Sequence, residues 1–197
     1  MTLYKERISS IYSILINNNV TSVLELGCGT GRLLQKLAES KKFSKLMGID
    51  NSEKRVTKAQ KTTKDYDVQV LKQSFLEIKN PKEFNNYDAI VASEVIEHLV
   101  PEDLEKLISL IFEKISPNIV IFTTPNKTYN CNYETLYNGM RHSSHIFEYD
   151  ETDIKKLTDK IINSYPIYSY EKKYCDPNCA THLIIFKKEE KTYEIYQ

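Results

Sequence analysis

Val23-Leu24-Glu25-Leu26-Gly27-Cys28-Gly29-Thr30-Gly31 decides the fold. Val23 to Leu26 reads as a short strand, the glycines as a turn, and Arg32 to Glu39 as a helix opening on that turn. Glycine lets the backbone take positive φ and approach a ligand closely. The spacing is G-x-G-x-G, whereas dinucleotide loops use G-x-G-x-x-G to lay a pyrophosphate on the helix N-terminus. Glu25 stands just before the glycines. Its carboxylate would repel a pyrophosphate and suits a cationic amino acid. Asp50 ends the next strand, Lys45 to Asp50, 19 residues beyond Gly31. There it can accept hydrogen bonds from ribose hydroxyls.

Outward from this loop, the chain alternates. Apolar residues at helical spacing predict a helix over 3–18. Asn51 or Ser52 can cap a helix over roughly 52–63, and 68–71 is a third strand. Residues 87–92 form a fourth strand, Pro101 suits the first turn of a helix to about Lys114, and 118–123 is a fifth strand. Residues 124–149 have no clear periodicity, and a loop this long is usually functional or disordered. A helix over 150–162 and two strands, 167–173 and 182–187, follow. The last two are expected as an antiparallel pair closing the sheet edge. Alternation implies an α/β fold, a mainly parallel sheet with helices on both faces, in one domain over 1–197.

Bulk numbers agree with a globular chain. Hydrophobic residues are 41%, and no apolar run nears the roughly 20 residues a membrane span needs. The N-terminus carries no signal-peptide pattern, so a cytoplasmic or nuclear home and no membrane are expected. Lys plus Arg and Asp plus Glu are 27 each, which argues against gripping a long duplex through many phosphates. A nucleic-acid end stays compatible. Cys175, Cys179 and His182 form a weak zinc candidate.

Glu94-Val95-Ile96-Glu97-His98 follows the fourth strand. On a helical turn its two carboxylates and imidazole would share one face, a set that suits a divalent cation. Ligands in open α/β sheets bind outside the carboxyl ends of the strands, which is where this segment sits.

The glycine loop and Asp50 resemble those of class I S-adenosylmethionine-dependent methyltransferases, whose sheet has seven strands with the last antiparallel. The resemblance assigns the cofactor to Glu25, Gly27, Gly29, Gly31, Arg32 and Asp50, with Ser74 beside the adenine. A narrower resemblance joins Glu94-x-x-Glu97-His98 to Thr124-Pro125-Asn126 and to Arg141-His142-Ser143-Ser144-His145-Ile146-Phe147-Glu148-Tyr149. Together they look like the family of small-RNA 3′-terminal ribose 2′-O-methyltransferases, over about residues 20–187. That family pattern implies Glu94, Glu97, His98 and His145 as ligands of one divalent metal, Mg²⁺ or Mn²⁺, and as the catalytic set. Ser144 stands where the family has Asp, so the carboxylate that would orient His145 is missing on this reading. Tyr149 replaces Trp. His142 is the weaker ligand candidate.

The implied reaction methylates the 2′-hydroxyl of the 3′-terminal nucleotide of small RNA, single-stranded or duplex. The chain starts almost at the catalytic domain, so RNA selection is expected from its own loops or a protein partner. Arg141, Asn126, Tyr129 and Asn130 are candidates, each equally readable as loop packing. Both a eukaryotic small-RNA pathway and bacterial repair of broken RNA ends fit. The rival reading is a class I O-methyltransferase acting on a small, quinone-type acceptor, which would not need the second histidine segment. A catalytically silent binding subunit would favour an eroded glycine loop, and this loop is intact.

Overall fold

The computed structural model describes residues 2–189; Met1 and 190–197, which the expected domain also includes, lie outside the described residues. The first half alternates as α1 (Leu3–Asn17), β1 (Ser22–Leu26), α2 (Arg32–Glu39), β2 (Lys45–Asp50), α3 (Glu53–Thr62) and β3 (Gln69–Lys72). The second half holds β4 (Ala89–Ser93), α4 (Pro101–Ile108), β5 (Ile119–Pro125), α5 (Glu151–Ser164), β6 (Tyr168–Tyr174) and β7 (Thr181–Lys188).

The strands form one sheet in the order β3-β2-β1-β4-β5-β7-β6. β1 to β5 run parallel, while β7 inserts antiparallel between β5 and β6. The last two strands therefore pair as expected, but β7 is interior and only β6 forms the edge. Burial explains the placement. β1 and β5 are buried at every position, as strands covered on both faces must be, whereas β3 and β6 are mostly exposed. The side-chain period of two divides the core. Leu24, Ile90, Phe122 and Phe186 pack on one face, and Val23, Val91, Ile121 and Ile185 on the other.

Local chemistry sets several boundaries. β4 begins two residues later than expected because Asp88 turns to the start of β1, accepting from the Thr21 and Ser22 N–H groups at 2.8 and 2.9 Å. Asp150 and Asp153 form a reciprocal capping box at the start of α5. α4 does continue, but as a wider π-helical stretch over Ser109–Ile115, which ends at Ser116 with φ 53°. Among the described residues, no helix is long and apolar enough to cross a membrane.

Candidate cofactor and metal site

The glycine loop is tied to the end of β2. Gly27 and Cys28 N–H donate to the Ile49 carbonyl at 2.8 and 3.0 Å. Asp50, 3% exposed, accepts from the Gly29 N–H on one oxygen and the Ser52 N–H on the other, both at 2.9 Å. Gly31 has φ +75°, and a Cβ there would stand 3.0 Å from the Ala59 backbone, so this turn closes on α3 only with glycine. Gly29 has open space beside it, on the cleft side.

That cleft, of about 300 Å³, is lined by Tyr4, Arg7, Glu25, Gly29, Arg32 and Glu94 among others. It shares Gly27, Arg55, Glu94 and His98 with a second cleft of about 340 Å³, which Asp50 and Phe75 also line. Glu25 is buried and its Oε2 has no hydrogen-bond partner. Burial pushes its carboxyl up to about 8, Arg7 opposing and Asp50 adding to the shift. A buried carboxylate oxygen facing a cleft without a donor is matched to a cationic ligand. The Ser74 hydroxyl caps the short 3₁₀ turn Phe75–Glu77, and its neighbour Phe75, from the same expected adenine-flanking position, lines the cleft.

The segment 94–98 is not one helical turn. Glu94 has φ 56°, and only Ile96–His98 form a short 3₁₀ turn. Glu97 and His98 nonetheless meet His145 from the long loop, with one ligand atom of each within 4.8 Å of the others. Glu94 stands outside this trio. One of its oxygens lies 3.1 Å from the Arg7 guanidinium, and the other accepts from the Thr123 hydroxyl at 3.1 Å.

Each member of the trio is prepared by its neighbours. Glu97 is fully buried; its Oε2 accepts from Thr124 at 2.9 Å and its Oε1 has no partner. Burial, then the Glu94 charge, hold its carboxyl well above the usual range. His98 Nδ1 donates to the Ser144 carbonyl at 2.9 Å, and His145 Nδ1 donates to Glu148 at 2.5 Å. Both rings are thus set with Nε2 as the free lone pair. Burial lowers the His98 pKa, favouring the neutral, ligating ring.

Glu148 fills the role that Ser144 cannot. It is 2% exposed and accepts from Asn130 Nδ2, the Arg141 N–H and His145. Burial pushes its carboxyl up, but these three donors outweigh it and hold it below its ordinary value. Its spacing of three from His145 is the sequence signal for this pairing.

The candidate RNA-contact residues are mostly structural. Arg141 donates to the Asn130 side chain at 2.7 Å, to the Ala180 carbonyl at 2.8 Å and to the Asn126 carbonyl, with its guanidinium over the Tyr129 and Tyr133 rings. Asn126 and Asn130 are buried; Asn126 binds the Cys179 carbonyl and Asn130 binds Glu148. The loop is then pinned to the segment 94–98, since Ile146 and Phe147 N–H donate to the Glu97 carbonyl at 2.8 and 3.2 Å. His142 is exposed and turned to Ser144, outside the trio. Among the described residues, Cys175, Cys179 and His182 do not gather at ligand distance.

Sheet order, glycine turn and acid-tipped β2 define a class I S-adenosylmethionine-dependent methyltransferase fold. A methyltransferase-domain family model matches residues 24–120. The small RNA 2′-O-methyltransferase of Schizosaccharomyces pombe is 30% identical, over 88% of this chain and 52% of that protein. Two solved methyltransferase domains of bacterial Hen1 superpose with TM-scores of 0.83 and 0.81, at 28% and 30% identity, covering 96% and 94% of this chain and 100% of each domain. The chain belongs to the family of Hen1 methyltransferase domains. It spans about half the length of the curated relatives it matches.

Proposed function

We propose that this chain, as one methyltransferase domain, transfers the methyl of S-adenosylmethionine to the 2′-hydroxyl of the 3′-terminal nucleotide of an RNA. The observation that carries this reading is the trio Glu97, His98 and His145 beside the cofactor cleft, with a fully buried, unpartnered Glu97 Oε1. That orphaned oxygen and two imidazoles with free Nε2 atoms fit a divalent cation of the Mg²⁺, Mn²⁺, Co²⁺ or Fe²⁺ kind. Glu97, His98 and His145 would hold it, with Glu94 as the fourth donor once it leaves Arg7. When bound, the metal lowers the pKa of a hydroxyl and the sulfonium supplies the methyl group.

The chain's own residues do the rest. Glu25 and the open face at Gly29 receive the amino-acid end of the cofactor, Asp50 its ribose, and Phe75 its base. Glu148 holds His145 in the ligating tautomer. Placement of the trio next to the cleft supplies proximity between acceptor hydroxyl and methyl donor. Imidazoles that hold a metal through Nε2 and donate from Nδ1 would have no free lone pair, so neither His98 nor His145 would take the hydroxyl proton.

The test follows labelled methyl transfer to a short single-stranded RNA and its duplex, with Mg²⁺ or Mn²⁺ and with chelator, beside RNAs ending in a 2′-deoxy nucleotide or a 3′-phosphate. Transfer requiring metal, the 2′-hydroxyl and a free 3′-hydroxyl supports the proposal. Transfer to neither RNA while the cofactor still binds would turn the assignment to a small-molecule acceptor or to a required protein partner.

A further inference from the structure

Arg7 is a cation that the sequence reading left unassigned. It reaches from α1 into the cofactor cleft, and its guanidinium lies 3.1 Å from Glu94. Glu25 lines the same cleft, and Glu97 stands three positions beyond Glu94. Both Glu25 and Glu97 carry an oxygen without a hydrogen-bond partner. One guanidinium therefore stands between the Glu94–His98 segment and the cofactor cleft.

From this arrangement we infer that Arg7 is a shared counter-ion that couples the two halves of the site. With no other cation present, Arg7 holds Glu94 away from Glu97, His98 and His145. A divalent cation at the trio attracts Glu94 and repels Arg7, so Arg7 needs a replacement anion. The cleft it lines supplies the place for one. A zwitterionic amino-acid end offers its carboxylate to Arg7 and its ammonium to the unpartnered Glu25 oxygen. Metal and cofactor should each bind more tightly when the other is present, and by the same factor. A nucleoside without the amino-acid end should not produce this effect. The inference rests on the reading of the trio as a metal site.

The experiment measures Mn²⁺ affinity of the whole chain, by the paramagnetic signal of the free ion and by calorimetry. Each titration is run alone, with S-adenosylhomocysteine, and with 5′-methylthioadenosine, which lacks the amino-acid end. Both additives are thioethers, not sulfonium ions, so neither supports turnover. In the wild type, S-adenosylhomocysteine should tighten Mn²⁺ binding about fivefold or more, a typical coupling, and methylthioadenosine should leave it unchanged. Arg7→Gln should bind Mn²⁺ at least as tightly as wild type without additive, should lose the S-adenosylhomocysteine effect, and should bind S-adenosylhomocysteine more weakly. Equal tightening by both additives, or coupling that survives in Arg7→Gln, would overturn the inference and leave the metal site standing. Failure of the wild type to bind Mn²⁺ under any of these conditions would overturn both. The wild-type contrast between additives decides the matter even if the variant does not fold.

Discussion

Replacing Glu148 by alanine removes the carboxylate that holds the long loop and His145 together. Three buried or half-buried donors lose their acceptor at once: Asn130 Nδ2, the Arg141 N–H and His145 Nδ1. Each unsatisfied group costs about 1–3 kcal/mol, and the space left at a 2% exposed position admits water only in part, so a total near 3 kcal/mol is expected. In a chain of this size that lowers Tm by roughly 6–12 °C. His145 also loses the group that fixes its tautomer, which should weaken Mn²⁺ binding or methyl transfer about 10- to 100-fold. Glu148→Gln keeps one acceptor oxygen and should show about a third of the stability loss, because a single donor is left unmatched. The assay is a thermal melt beside a Mn²⁺ titration, for wild type and both variants. An unchanged Tm in Glu148→Ala would show that the loop does not depend on this carboxylate. An unchanged Mn²⁺ affinity in a variant with the predicted melt would show that His145 is oriented by something else.

Three further outcomes follow from the same geometry. Burial raises the native pKa of Glu25 from 4.5 to about 8, so the native state holds its proton more tightly than the unfolded chain. Glu25 therefore favours folding fully below its unfolded pKa, and that contribution is lost as pH climbs through the window toward 8. Without cofactor, Tm should fall with pH across that window and fall less in Glu25→Gln; parallel curves in a melt series would contradict this. Arg141→Lys cannot reproduce the fork to Asn130, Ala180 and Asn126, and should cost about 2 kcal/mol by urea midpoint, comparable to removing charge-assisted bonds, while leaving the salt slope of RNA binding unchanged. A reduced slope would make Arg141 a phosphate contact after all. Mn²⁺ at one hundred times Kd should stabilise the wild type by about 2.7 kcal/mol, read as a higher Tm, and chelator should remove the shift. His145→Ala should show almost none of this shift, and an equal shift would place the ion elsewhere.

The fold was legible because its signals are periodic or punctuated. Buried parallel strands read as apolar runs, and three glycines could serve only a turn that meets a ligand or a neighbouring helix, as Gly31 meets Ala59. The site was half legible. Glu97, His98 and His145 converge as their spacing and the resemblance implied. The backbone of Glu94 was hidden, since a left-handed glutamate leaves no sequence mark and the i, i+3, i+4 pattern suggests a helix. The long loop has no period from which to derive partners, so Glu148 and the packing role of Arg141 emerged only from their hydrogen bonds. Arg7 carries no sequence mark, because its partner Glu94 lies nearly ninety positions away along the chain.

The interior position of β7 gives the two halves of the site different histories during protein synthesis. Everything the glycine turn needs, from β1 through Asp50 to Ala59 on α3, lies in the first third of the chain. The trio has to wait. Its loop is anchored by the carbonyls of Cys179 and Ala180, which β7 brings alongside β5 as the last strand to enter the sheet. A nascent chain that stalls before residue 181 would expose the edge of β5 and leave the loop of His145 without its anchor. Synthesis from the N-terminus thus delivers the residues of the glycine turn first and the strand that secures the trio last.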